Sequence, residues 1–148
     1  MTPRILIVDD ERDNRELLAI ILVHEGFLVL TAGSGEEALA IVAQHPPDLV
    51  LLDIMMPGMD GYEVAAAIKG DVATKHIQVV MVSALDDRSG RAVAASAGAD
   101  DFLTKPMDRA ALCERLTTLL ASSRTPRNSR DADSPTARAY RSRQRLGA

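Results

Sequence analysis

Apolar residues fall along this chain in short unbroken runs, separated by stretches whose apolar positions recur at helical spacing. Ile5-Leu6-Ile7-Val8, Leu49-Val50-Leu51-Leu52 and Val79-Val80-Met81-Val82 have no polar interruption. Runs of that length, rich in branched side chains, predict strands covered on both faces. The pattern places strands at Arg4–Val8, Leu28–Thr31, Leu49–Leu52, Gln78–Val82 and around Phe102-Leu103. Between them lie helical stretches. The acidic turn Asp9-Asp10-Glu11 opens a helix to about His24, and Gly26 breaks it. Ser34-Gly35-Glu36-Glu37 is a capping box for a second helix, which Pro46-Pro47 closes. Third and fourth helices are predicted over about Tyr62–Lys69 and Asp87–Ala97. Asp108 caps a fifth, with Leu112, Leu116, Leu119 and Leu120 along one face.

Five strands alternating with five helices form a βα repeat. Right-handed crossovers leave few arrangements for such a chain. The expected fold is α/β, a flavodoxin-like three-layer sandwich whose five-stranded parallel sheet has the order 2-1-3-4-5. The domain is expected to span residues 1–121. From Ser122 onward Ser, Arg, Asp, Pro and Ala dominate, and Tyr140 is the single aromatic. A segment of this kind buries too little apolar surface to offset its ordering entropy, so 122–148 is expected to be a disordered tail.

Charge sharpens that division. The 148 residues carry a net −4, but residues 122–148 hold seven arginines against two acids, and residues 1–121 hold ten basic against nineteen acidic side chains. An acidic globule argues against nucleic-acid binding by the folded part. Only the basic tail offers an arm for nucleic acid or another acidic partner, the alternative being a solvated extension. No apolar stretch approaches the roughly 18 residues of a membrane span, and the N-terminus lacks the pattern of a secretory signal. The single cysteine, Cys113, excludes an internal disulfide and fits a reducing compartment. The expected setting is cytoplasmic, with Cys113 a buried structural thiol.

Candidate chemistry clusters at the ends of strands. Asp9 and Asp10 follow the first strand, Asp53 the third, Ser83 the fourth and Lys105 the fifth. In an open parallel sheet these ends share one rim, where ligands bind. Taken singly, an acidic pair before a helix is a cap and dipole partner, and an aspartate after a strand is turn chemistry. Together they describe a phosphoryl-transfer site. Asp53 is the candidate nucleophile, since a carboxylate can accept a phosphoryl group as an acyl phosphate. Asp9, Asp10, Asp53 and the backbone carbonyl of Met55 are the candidate Mg²⁺ ligands, because that ion prefers oxygen donors. Lys105 offers a second cation and Ser83 a hydroxyl donor.

The segments I-L-I-V-D-D, D-L-V-L-L-D-I-M-M-P-G-M-D-G, V-M-V-S-A and G-A-D-D-F-L-T-K-P follow one another between about Arg4 and Leu120. In order and spacing they resemble the receiver domain of bacterial two-component response regulators. The resemblance implies that Asp53 is the phosphorylated aspartate, Asp9 and Asp10 the Mg²⁺-binding pair, Ser83 the switch hydroxyl and Lys105 the phosphate-contacting lysine. It also implies that Ala84 leaves room for the phosphoryl group, that the Pro106 peptide bond is cis, and that Phe102 is the aromatic switch, turning inward once Ser83 is drawn to the phosphate. Implied partners are a histidine kinase or histidine phosphotransfer protein and a downstream target, met through helix 4, strand 5 and helix 5; homodimerisation stays open. The stretch from Ala84 to Lys105 looks most like receivers that precede cyclic-dinucleotide signalling domains.

Other features divide between packing and function. Leu17 to Val23 is wider than one helical stripe: either the first helix is tightly packed, or Ile20 or Val23 belongs to a docking face for the phosphodonor. Met55, Met56 and Met59 are expected to pack rather than bind a soft metal. His24, His45 and His76 are expected to be incidental surface residues. The expected function is a stand-alone response regulator, a phosphorylation-driven switch that modifies itself rather than turning over external substrate. A Mg²⁺-dependent aspartate-nucleophile phosphatase is the enzyme alternative, but Met55 occupies the place two residues past the nucleophile where such enzymes carry a general acid. The remaining alternative is a pseudo-receiver that works without phosphate.

Overall fold

The computed structural model of the chain describes residues 2–84, 88–105 and 108–124. Pro106 and most of the basic tail lie outside the described residues. Within them the chain alternates β1 (Arg4–Val8), α1 (Arg12–His24), β2 (Leu28–Ala32), α2 (Gly35–Gln44), β3 (Leu49–Asp53), α3 (Gly61–Lys69), β4 (Gln78–Ser83), α4 (Arg88–Ser96), β5 (Asp101–Thr104) and α5 (Arg109–Arg124). The five strands form one sheet in the order β2-β1-β3-β4-β5, with every neighbouring pair parallel. This is the flavodoxin-like topology that the alternation predicts.

The unbroken apolar strands serve two cores at once, because successive side chains point to opposite faces. Leu6, Val8, Val50, Leu52, Val79 and Met81 pack with residues of α2, α3 and α4. Ile5, Ile7, Leu49, Leu51, Val80 and Val82 pack with Leu22 of α1 and with Leu112, Leu116 and Leu120 of α5. Every residue of β3 and β4 is buried, Asp53 and Ser83 included. Tight βα turns then fix the helix starts. Ser34 Oγ accepts from the Glu37 N–H at 3.2 Å, while the Glu37 carboxylate takes the Gly33 N–H. Asp60 and Asp108 cap α3 and α5 in the same manner, from the Glu63 and Ala111 N–H groups.

Some expectations need correction. α5 continues through Arg124, past the boundary placed after residue 121, so the first residues assigned to the tail are helical. Ser83 is the last residue of β4 rather than the first beyond it. Met55 does not pack: it is 65% exposed, while Met56 is buried and Met59 lies half-buried against the core. Cys113 is half-buried beside the α1–α5 core, where burial pushes its thiol pKa up, with Glu25 adding to the shift and Arg109 opposing it. His24, His45 and His76 are exposed, as expected.

Candidate functional site

Three parallel strands deliver the acids and the lysine to one rim. Asp9 directly follows β1, Asp53 ends β3 and Lys105 directly follows β5. Asp9 is 2% exposed and Asp53 7%, whereas Asp10 is exposed. One carboxylate oxygen from each of Asp9, Asp10 and Asp53 lies within 4.8 Å of the other two. Lys105 Nζ stands 3.5 Å from Asp9 Oδ2 and 3.8 Å from Asp53 Oδ1. The Lys105 N–H donates to the Ser83 carbonyl at 2.8 Å, which ties the ends of β4 and β5 together beside the acids. Ser83 is 3% exposed, and Ala84 next to it is exposed.

Phe102 differs from the expected outward starting position. It is 7% exposed and belongs to the core that holds Met81 and Ala94, so the ring already lies inside. The expectation for Pro106 lies outside the described residues.

The pocket concentrates negative charge where water is scarce. Burial pushes the Asp53 carboxyl up from its ordinary 3.8 to about 6. Lys105 pulls it down, Asp9 pushes it up, the Met55 backbone N–H lowers it by hydrogen bonding, and Asp10 adds a smaller upward push. One lysine thus fails to neutralise three acids, which is the condition a hard divalent cation relieves. The donor set fits Mg²⁺: clustered carboxylate oxygens, partly open to water, with no sulfur or imidazole among the clustered ligands.

The raised Asp53 pKa has a measurable consequence in metal-free protein. Ionised Asp53 costs the native state on the order of 3 kcal/mol at pH values above about 6. Because the folded value exceeds the unfolded one, stability falls as pH rises from 3.8 to about 6 and then levels. Asp53→Asn is therefore expected to stabilise the chelator-treated protein by about 2 kcal/mol at pH 7.5 and to gain little at pH 4. Urea denaturation at the two pH values checks this, and an equal effect at both would refute it.

Sequence reasoning overlooked two residues here. A Cβ at Gly61 would stand 2.6 Å from the Asp53 carbonyl oxygen and 2.7 Å from Ile54 Cα, so the start of α3 packs directly on the backbone of Asp53. Arg15 Nη1 donates to the Asp9 carbonyl at 2.8 Å. In the sequence Gly61 reads as part of a turn and Arg15 as a solvated charge on α1. The M-D-G turn could have marked the first, whereas nothing in the spacing marks the second.

The parallel 2-1-3-4-5 sheet, with three acids and a lysine gathered at its carboxyl rim, places the chain among flavodoxin-like α/β domains. The response regulator receiver domain model matches residues 5–117, and the chain belongs to that family, whose members are signalling phosphoacceptors of two-component systems. The chain is 48% identical over 119 residues to response regulator PleD of Caulobacter vibrioides, covering 80% of this chain and 26% of PleD. It is 39% identical over 116 residues to the phosphate regulon transcriptional regulatory protein PhoB of Pseudomonas aeruginosa, covering 78% of this chain and 51% of PhoB. It thus spans about a quarter of the first relative and about half of the second. Among solved structures, a CheY-like receiver domain protein from Methanospirillum hungatei superposes with a TM-score of 0.78 at 28% identity, covering 83% of this chain and 97% of that one.

Proposed function

We propose that this domain is a phosphorylation-driven switch in which Asp53 accepts a phosphoryl group from the phosphohistidine of a histidine kinase or phosphotransfer protein. The observation that carries this reading is the placement of Lys105 Nζ between the carboxylates of Asp9 and Asp53, in a pocket where a third acid also converges. Asp9, Asp10, Asp53 and the Met55 carbonyl would hold Mg²⁺. When bound, that ion supplies the charge neutralisation that phosphoryl transfer mainly requires.

The chain's own residues do the rest. An ionised Asp53 oxygen attacks phosphorus in line as the bond from phosphorus to the donor imidazole breaks, its electron pair staying on nitrogen. The product is an acyl phosphate. Lys105 is placed to pair with a phosphoryl oxygen in exchange for its contacts with the carboxylates. The Ser83 hydroxyl donates to another phosphoryl oxygen, with Ala84 leaving that approach clear. Phe102 is inward already, so phosphorylation would hold it there rather than bring it in. Moving such an equilibrium from about 1:99 to about 99:1 takes about 5.5 kcal/mol of differential stabilisation.

Two surfaces would receive partners. Leu17, Ile20 and Val23 are each more than half exposed and recur every third residue along α1, which favours the docking alternative over a fully packed helix. An apolar row of this kind suits the helical bundle of a phosphodonor. The face of α4, β5 and α5 would receive the downstream target or a second copy. Among the described residues, no helix is long and apolar enough to cross a membrane.

The test is intact mass after incubation with acetyl phosphate and Mg²⁺. One phosphoryl addition, absent when the metal is chelated beforehand and self-limiting over time, is the expected result. Sustained hydrolysis of external phosphate esters would point instead to a phosphatase. Failure to take up either phosphoryl or beryllofluoride would point to a pseudo-receiver.

A further inference from the structure

Two of the clustered acids sit on the loop between β1 and α1, and that loop is held unevenly. Asp9 is fixed at three atoms. Its N–H donates to the Ala32 carbonyl at 3.1 Å, its Oδ1 accepts from the Glu11 N–H at 2.9 Å, and its carbonyl accepts from Arg15 Nη1 at 2.8 Å. Asp10 is exposed, and among the described residues its carboxylate has no hydrogen-bond partner. What orients Asp10 must therefore act through its backbone.

The carbonyl that Arg15 holds belongs to the peptide joining Asp9 to Asp10. That unit is planar, so fixing its oxygen sets the plane and the direction in which the Asp10 side chain leaves it. The guanidinium is itself backed by the turn between β2 and α2: a Cβ at Gly33 would come within 3.0 Å of Arg15 Nη1. The Gly33 N–H in turn donates to Glu37 Oε2 at 3.2 Å, which anchors that turn to α2. Among the described residues, Arg15 makes no ion pair with a carboxylate, so its one directed contact is to this carbonyl.

We propose that Arg15 is a positioning residue for the divalent-cation site, wedged between the Gly33 turn and the Asp9–Asp10 peptide so that the Asp10 carboxylate meets those of Asp9 and Asp53. The role rests on the reading of the pocket as a Mg²⁺ site. Partners that orient ligands in this way typically contribute about 10- to 100-fold in metal affinity.

Calorimetric Mg²⁺ titration of the full chain tests it, with Arg15→Met, Arg15→Lys, Gly33→Ala and the Arg15→Met/Gly33→Ala double variant. Arg15→Met is expected to weaken Mg²⁺ about tenfold, while the urea midpoint of the metal-free protein moves little. Arg15→Lys should recover part of the affinity, since an ammonium still donates to the carbonyl. Gly33→Ala should weaken Mg²⁺ in the parent chain and have no effect once Arg15 is gone. At saturating Mg²⁺ the Arg15→Met protein should regain the parent rate of phosphorylation by acetyl phosphate. Equal Mg²⁺ affinity in parent and Arg15→Met protein would overturn the positioning role, as would a Gly33→Ala penalty that persists in the double variant. A parent chain that binds no Mg²⁺ would instead sink the reading of the site itself. Should Arg15→Met fail to fold, Arg15→Lys and Gly33→Ala decide the question alone.

Discussion

Asp53→Asn protein, given acetyl phosphate and Mg²⁺, is expected to gain no phosphoryl mass under conditions that fully load the parent chain. The effect should be complete rather than partial, because neither neighbouring acid can substitute. Asp9 has one oxygen committed to the Glu11 N–H and the other facing Lys105 at 3.5 Å. Asp10 is exposed and carries no lysine contact within salt-bridge distance among the described residues. The amide keeps the shape of the carboxylate and removes the nucleophilic charge, so the loss cannot be blamed on unfolding. The same substitution is expected to make the metal-free protein more stable at pH 7.5, as worked out above. Loss of phosphorylation together with gained stability would be hard to obtain from a merely damaged fold. Phosphoryl found on another acid of the variant would show that Asp53 is not the acceptor.

Gly61→Ala is the second large effect, and it acts on the same residue from behind. The added methyl would meet the Asp53 carbonyl oxygen at 2.6 Å, Ile54 Cα at 2.7 Å and the Asp53 carbonyl carbon at 3.1 Å. All three are backbone atoms, so no side chain can swing away. The Gly61 N–H also donates to the Ile54 carbonyl at 3.0 Å, which locks α3 against the end of β3. Relief must come from moving the strand end or the helix, at a cost of about 3 kcal/mol. For a domain of this size that corresponds to a melting temperature lowered by about 10 °C. Because the strand end carries Asp53, the rate of phosphorylation below the melting transition should fall as well. A variant with parent stability and rate would show that α3 can back away freely. Ala66→Gly, at an exposed position of the same helix, serves as the control for helix propensity alone.

Most of this architecture is legible from the chain because two periodicities coexist in it. Val79 to Val82 read as a strand since no polar residue interrupts them, and both cores draw on that one run. Asp9, Asp53 and Lys105 could be placed together because parallel strands end at a common rim, whatever the details of packing. The misreadings concern how far and which way single side chains point. Met55 was expected to pack with Met56 and Met59 rather than bind a soft metal, yet the loop turns it outward while its neighbours Ile54 and Met56 go in. Phe102 was expected outside because a resemblance carries a mechanism but not a rotamer. The end of α5 was misplaced because Ser122 and Ser123 are weak helix formers that the sixteen-residue helix carries in its last turn. Arg15 escaped notice since its partner is a main-chain carbonyl, and such a contact leaves no complementary residue to find in the sequence.

The division of the sheet into two cores bears on how a message could travel through the molecule. Phe102 and Met81 belong to the compartment beneath α2, α3 and α4, and Ser83 shares the strand parity of Met81. Leu22, Leu112 and Leu116 occupy the opposite compartment, under the helix that bears the apolar row. A rearrangement begun at the serine would spread through one room while the sheet, as a wall, leaves the other furnished as before. Of the face proposed for the target, the α4 side would then feel the change directly, whereas α5 packs with α1 on the opposite side of the sheet and would respond only through the shared strands.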